Sequence, residues 1–197
     1  MKLETKRLIL RKPRLSDWKD IVEGLKDIEV SKNLKLVPHP YKKKNAVKFI
    51  SYAIKEWGKK NKSSYIFFIE LKSEKKVIGD TGIYWISKEH LKCTTGSWIN
   101  KKYWRKGYIL EAKVPVLDFI FNKLNLRKIE TGANRENAAS NNMSKKLGFN
   151  LEGIRRKSLI NKATGKIHDD VLYGLFKEEW KKRRPRIIKE INKKIKK

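Results

Sequence analysis

With a single cysteine, Cys93, the chain cannot close an internal disulfide, and the shortage points to a reducing, cytoplasmic setting. It also excludes a cysteine-ligated zinc site. The three histidines (His39, His90 and His168) are scattered and unpaired, so no metal site is expected. No apolar run approaches the roughly 20 residues of a membrane-spanning helix. The opening MKLETKRLIL has no apolar core of the kind a secretory leader carries. Acidic residues are outnumbered: 21 Asp and Glu stand against 50 Lys and Arg, for a formal charge of +29. Such an excess attracts polyanions, which allows a ribosome or RNA contact through the basic surface. The excess is mostly lysine and is spread along the chain, so lysine-biased composition explains it as well; bidentate phosphate recognition favours Arg. Both readings stay open at this point.

What is present suffices for one folded domain. The 197 residues are 39% hydrophobic and include six tryptophans, enough for one core and few for two. Thr5 to Arg11 alternates as an opening strand that Pro13 breaks. Ser16 and Asp17 supply caps for a helix with Trp18, Ile21, Val22 and Leu25 at helical spacing. Val47, Ile50, Ala53, Ile54 and Trp57 share one face of a second helix over Ala46 to Trp57. Tyr65 to Leu71 and Val77 to Trp85 form a hairpin, and Thr94 to Asn100 is the next strand. A helix begins after Gly107 and continues to Phe121, with Pro115 expected in its early turns, where a missing N–H costs least. A strand at Lys128 to Ala133, a helix at Ser140 to Leu147 and a strand at Val171 to Phe176 follow. The order β-α-α-β-β-β-α-β-α-β predicts an α+β (mixed α/β) domain over residues 1–180, with helices covering one sheet. Residues 181–197 read as a basic amphipathic tail interrupted by Pro185, which either docks on the domain through its isoleucines or touches RNA or a membrane surface through its basic face.

Two segments carry chemistry. Trp104 to Ala112, WRKGYILEA, is a basic turn around Gly107 that opens a helix. A helix N-terminus offers convergent N–H groups to phosphate, and a glycine permits close approach of the backbone. Asn137 to Phe149, NAASNNMSKKLGF, runs from a strand end into a helix closed by Gly148. Asn137 and Ser140 could each cap that helix, or present an amide and a hydroxyl to a ligand.

In order along the chain stand Thr5-Lys6-Arg7-Leu8-Ile9-Leu10-Arg11, Ile78-Gly79-Asp80-Thr81-Gly82, Gly96-Ser97-Trp98-Ile99 and Tyr103 to Ala112. They are followed by Asn134 through Asn137, Ser140 and Lys146 to Glu152-Gly153, and by His168-Asp169, Tyr173, Leu175, Glu179 and Trp180. The series, covering about residues 4 to 180, resembles the GNAT-superfamily N-acetyltransferases, in particular the ribosomal-protein-alanine (Rim, RimJ/RimL-like) branch. The resemblance implies a mostly antiparallel, splayed GNAT-like sheet with acetyl-CoA as co-substrate in the splay. It implies that Trp98 and Ile99 hold the pantetheine arm, and that Trp104, Arg105, Lys106, Gly107, Tyr108, Ile109 and Leu110 form the pyrophosphate loop. It further implies that Asn137 and Ser140 border the thiol end as the catalytic candidates, with direct attack by an amine. In the family's Q/R-x-x-G-x-G/A loop, Trp104 stands at the Q/R position and Ile109 at the second small position. Thr94 stands where many relatives place a glutamate base. Tyr108 is by its chemistry a general acid, although its position points it into the helix bundle. His168 and Asp169 either line the acceptor pocket or are exposed loop polarity.

The implied acceptor is a primary amine, most simply a protein N-terminal α-amino group, whose pKa near 7.7–8.0 leaves it partly neutral. Alternatives are a small-molecule amine, or a catalytically weak GNAT-like protein that binds RNA or ribosomes. A polyamine fits poorly with a like-charged surface.

Overall fold

Tyr65–Leu71 sorts its side chains by alternation: Phe67, Ile69 and Leu71 enter one core cluster, while Ile66 and Phe68 enter another. A strand buried on both faces needs a helical layer on each side. The computed structural model, which describes residues 1–195, has that arrangement. The first half comprises β1 (Lys2–Glu4), β2 (Leu8–Arg11), α1 (Trp18–Leu25), α2 (Ile28–Ser31), α3 (Lys43–Gly58), β3 (Tyr65–Leu71), β4 (Lys76–Ser87) and β5 (Lys92–Ile99). The second comprises α4 (Tyr108–Asp118), β6 (Lys128–Asn134), α5 (Ala138–Leu147), β7 (Asn150–Ile160), β8 (Ile167–Phe176) and α6 (Lys177–Ile195). On one face α1 and α3 contribute Ile21, Leu25, Ile50 and Ala53. On the other, α4, α5 and α6 contribute Leu110, Leu147, Trp180 and Ile187.

The eight strands lie in the order β1-β2-β3-β4-β5-β6-β8-β7. Every neighbouring pair is antiparallel except β5 and β6, which run parallel. That pair is in register only from Lys92↔Lys128 to Thr94↔Glu130. One further link follows, the Thr131 hydroxyl donating to the Thr95 carbonyl at 2.9 Å. Beyond it the strands part, leaving a gap in the middle of the sheet. The α+β class and the splayed sheet expected from the sequence are thus present.

Several boundaries differ from the sequence reading, each for a physical reason. The opening strand is broken at Thr5–Arg7, because these residues turn aside to bind Glu111 on α4. Asp17 does not cap α1 from in front; its carboxylate reaches back to the Arg14 N–H at 2.7 Å and is held by Arg11. Pro115 lies in the middle of α4, not in an early turn, and removes the donor that would have met the Glu111 carbonyl. The wide turn Phe119–Lys123 follows directly. β1 and β7 have no counterpart in the order expected from the sequence.

Pro185 does not interrupt the C-terminal segment. Helix α6 runs through it, with Trp180, Ile187 and Ile191 buried in the core that α4 shares. The Trp180 indole donates to Asp118 at 2.9 Å, and Lys146 pairs with Glu190. A boundary between residues 180 and 181 falls inside this helix. Lys196 and Lys197, part of the tail read at 181–197, lie outside the described residues.

Candidate active site

The gap between β5 and β6 leaves backbone groups without a strand partner. Amide and carbonyl directions alternate along a strand. The Thr95 carbonyl accepts from Thr131 on the β6 side, whereas the Asn100 N–H donates to Ile78 on β4. Ser97 and Ile99 therefore face the gap. Trp98 faces β4, opposite Asp80, and its buried indole donates to the Asp80 carboxylate at 2.6 Å. Of the pair read as holding a pantetheine arm, the backbone of Ile99 borders the gap and that of Trp98 does not. Ser97 takes its place, a shift of one residue that only register reveals.

The loop after β5 closes one end of the gap. The Trp104 indole donates to the Ile99 carbonyl at 2.9 Å, so the aromatic residue at the usual Q/R position seals the strand end. Arg105 and Gly107 take positive φ values of 63° and 79°, and Gly107 caps α4 in the left-handed conformation. These turns bring the amides from Arg105 to Leu110 round the start of α4, where the helix dipole favours an anion. Ile109 packs its branched side chain against the main core, and Leu110 is buried there. The bulk of Ile109 is thereby kept off the loop's outer surface. Lys106 and Arg105 are exposed, and Lys194 of α6 comes within 3.4 Å of a Cβ built on Gly107. Unpaired strand amides, a left-handed glycine cap and surrounding cations fit the pantetheine and pyrophosphate of an acyl-CoA.

Arg7 and Glu111 fix the loop to the sheet. Glu111 is buried and accepts from the Thr5 hydroxyl at 2.6 Å, the Arg7 N–H at 2.9 Å and Arg7 Nε at 2.7 Å. Arg7 then donates from Nη2 to the Lys106 carbonyl at 3.1 Å. Its guanidinium lies 4.3 Å from the centre of the Tyr108 ring. Tyr108 is thus engaged beneath Arg7 and edge-on to Tyr103, and it also packs against the core that α4 and α6 share.

On the far side of the gap, Asn137 caps α5, its side-chain oxygen accepting from the Ser140 N–H at 3.0 Å. The Ser140 hydroxyl makes no hydrogen bond to a described residue, whereas its carbonyl accepts from Ser144. Of the two capping candidates, Asn137 is committed and Ser140 keeps its hydroxyl free at the mouth of the helix.

Neither strand threonine is available as a base. Thr94 donates to the Tyr84 carbonyl, and Thr95 donates to Gly82 while accepting from Lys113 Nζ at 2.8 Å. Lys113, buried on α4, has its pKa lowered to about 8 by desolvation, against the pull of Asp80. Asp80, fully buried, has its pKa raised to about 7 by desolvation, opposed by the Trp98 hydrogen bond and by Lys113. Burial pushes the Cys93 thiol up to about 12, which leaves it inert as a nucleophile. His168 and Asp169 lie within β8. His168 Nδ1 is 3.7 Å from Glu136, and Asp169 accepts the Lys157 N–H across the β7 irregularity. The neighbouring Asp170 is the buried one. It pairs with Lys35 at 2.7 Å and lies against Gly132 at the edge of the gap.

Sequence reading missed Asp80, Lys113 and Asp170. A lysine within the apolar run EAKVPVL was the legible signal for Lys113; Asp80 sat unweighed inside the IGDTG motif. A surface cleft of about 670 Å³ lies elsewhere, between α1 and Asn100–Lys102. It is spanned by the Lys102–Glu23 and Lys101–Asp27 ion pairs.

Comparison with known proteins gives the same picture. Residues 7–150 match the family model described as the acetyltransferase (GNAT) domain. The chain is 31% identical over 180 residues to the uncharacterized N-acetyltransferase p20 of Bacillus licheniformis, covering 90% of this chain and 97% of that one. The fold is similar to that of the microcin C7 self immunity acetyltransferase MccE, solved with acetyl-CoA and AMP (TM-score 0.76, 19% identity, 87% of this chain and 93% of that one). It is also similar to that of the ribosomal-protein-S5-alanine acetyltransferase of Vibrio fischeri (TM-score 0.77, 20% identity, 91% and 98%). The chain belongs to the GNAT acetyltransferase family and is an acetyl-CoA-dependent N-acetyltransferase.

Proposed function

We propose that the acceptor is the free α-amino group of a protein N-terminus, of the kind ribosomal proteins present, and that the enzyme works in the cytoplasm. Acetyl-CoA supplies an acetyl thioester; this chain's residues hold it, align the amine and remove the amine's proton. The observation that carries the acceptor reading is that β5 (Lys92–Ile99) bears no carboxylate or imidazole, Thr94 and Thr95 standing where a base would be and donating to backbone carbonyls. An α-amine with pKa near 7.7–8.0 needs little help to become nucleophilic, whereas a lysine near 10.4 needs far more. The Ser140 hydroxyl beside the gap is free to donate to the departing sulfur. Asn137 holds the helix end that presents it.

Two further facts support a protein acceptor. The fold neighbour from Vibrio fischeri is itself a ribosomal-protein acetyltransferase. A surface of +29 would speed encounter with a substrate protein carried on RNA, and would slow encounter with a polyamine. Thiol release from acetyl-CoA, measured with three acceptors, tests the reading. An alanine-initiated peptide with a free N-terminus is expected to exceed the same peptide N-blocked with an internal lysine, and to exceed spermidine, by ten-fold or more. Preference for the blocked lysine peptide or for spermidine would reject it.

A further inference from the structure

Beyond β5 the sheet loses its helices on one face. The core built by α1 and α3 draws on Ile66 and Phe68 of β3, Val77 of β4 and Trp98 of β5, and on no described residue of β6 or β8. Val171, Tyr173 and Leu175 turn into the other core, so by alternation Asp170 points to the side that α1 and α3 leave bare. The segment between α2 and α3 covers it there. Asn161, at the turn between β7 and β8, donates from Nδ2 to the Lys32 carbonyl at 2.9 Å and to the Leu34 carbonyl at 3.3 Å. The Lys162 N–H donates to the Lys35 carbonyl at 3.3 Å, and Lys35 Nζ reaches Asp170 Oδ1 at 2.7 Å.

The head of Asp170 lies over β6 at the open part of the gap. Asp170 is opposite Asn134 in the β6–β8 register, yet its carboxylate leans along the strand to Gly132. A Cβ built on Gly132 would meet Oδ1 at 3.0 Å, Oδ2 at 3.2 Å and Cγ at 3.4 Å. Both oxygens are therefore turned toward that glycine, and a side chain there would push them away. Gly132 follows Thr131, whose hydroxyl makes the last link to β5. It is the first residue of β6 with no strand beside it on the β5 side. Continuing the register Thr94↔Glu130, Gly96 stands level with it across the gap. On this face the gap is thus flanked by two glycines, with the Asp170 carboxylate over one of them.

The other carboxylates of this face are held differently. Glu130 lies opposite Thr94, in the closed part of the β5–β6 pair, and binds Lys92 and Lys128. Glu152 of β7 also binds Lys128. Those cations stand on strands. The cation of Asp170 stands on the chain between α2 and α3, and its side chain is 36% exposed where that of Asp170 is 5% exposed. A swing of the Lys35 stem uncovers the carboxylate without disturbing a strand or a helix. A buried carboxylate left without a cation is costly, so the site favours a second ammonium once Lys35 leaves.

We propose that Asp170 is the binding site for the acceptor's ammonium group, filled by the Lys35 ammonium until an acceptor displaces it. A primary ammonium brings the same three N–H donors and the same point charge as Lys35. An α-amine with pKa near 7.7–8.0 is mostly in that form at pH 7. Asp170 thereby collects the amine beside the gap that holds the acetyl thioester, and acts on the acceptor's KM. A quaternary ammonium has no N–H to offer and does not replace Lys35. This rests on acetyl transfer to an amine, and on the N-terminal acceptor only for which amine is taken.

The test uses the full chain and three variants. Lys35→Met keeps the stem and loses the ammonium, Lys35→Gln keeps an N–H donor for Asp170 should Lys35→Met fold poorly, and Asp170→Asn keeps an acceptor for Lys35. Thermal melts are taken in methylammonium chloride and, at equal concentration, in tetramethylammonium chloride. Lys35→Met should melt below the wild type and recover about 2–4 °C in methylammonium relative to tetramethylammonium, with Lys35→Gln moving in the same direction. The wild type and Asp170→Asn should melt alike in the two salts. With alaninamide as the acceptor, Asp170→Asn should raise the acceptor KM about ten-fold or more with the acetyl-CoA KM unchanged, and Lys35→Met should lower the acceptor KM. A merely structural ion pair would give neither the salt-specific rescue nor the opposite KM shifts. Equal melts of the Lys35 variants in the two salts, or an acceptor KM unmoved by Asp170→Asn, would overturn the proposal. Rescue and KM shifts as expected, with N-terminal peptides left unacetylated, would instead reject the N-terminal acceptor and uphold the ammonium site.

Discussion

Gly107→Val is expected to raise the KM for acetyl-CoA at least ten-fold while leaving the protein folded. Gly107 sits at φ 79° as the cap of α4, a conformation that costs a β-branched residue ~1–3 kcal/mol. Space is not the obstacle: a Cβ there would meet Lys194 Cδ at 3.4 Å and Arg7 Nη2 at 3.7 Å, both ends of flexible side chains. The strain relaxes by turning the backbone, and that redirects the amides between Lys106 and Leu110. An anion held by such amides loses several hydrogen bonds together, each worth about 1.5–3 kcal/mol when charge-assisted. Steady-state kinetics with a thermal melt separates the effects. A raised KM with a small loss of stability is expected; an unchanged KM would mean that the phosphates bind elsewhere.

Glu111→Ala should be the more damaging change to stability, by about 3–4 kcal/mol in urea denaturation. The carboxylate is buried and receives three hydrogen bonds from Thr5 and Arg7. Removing one partner of a buried pair leaves the other desolvated and unpaired, which costs ~3–5 kcal/mol. The Arg7 side chain is 23% exposed, so water recovers some of this. The same variant should also weaken acetyl-CoA binding, because Arg7 is the group that pins the Lys106 carbonyl. A loss below 1 kcal/mol would show that the clamp is incidental.

This clamp also explains why widely separated sequence motifs belong together. Thr5 and Arg7 of the opening strand and Glu111 of the Gly107 turn are more than 100 residues apart, yet form one contact. Alternation and helical spacing made Tyr65–Leu71 and the helix around Ile50 legible, because each is decided by local periodicity and burial. The broken opening strand was not legible, since its interruption comes from a distant carboxylate. Nor was the continuity of α6: a proline predicts a break, but docking of Trp180, Ile187 and Ile191 outweighs one lost hydrogen bond. At the site, the Gly107 loop and the Asn137 cap were visible as turn and cap chemistry. The exchange of Trp98 for Ser97 at the gap depends on register, which a sequence does not print. Asp80 escaped notice because a single Asp in a strand motif says nothing of burial.

The account turns on where acetyl-CoA binds, and amide hydrogen exchange on the full chain, with and without acetyl-CoA, addresses that most directly. Protection is expected at the amides of Ser97 and Ile99 and across residues 105–110, with little change in β7 or α3. Protection confined to other segments, or none at saturating acetyl-CoA, would contradict the account.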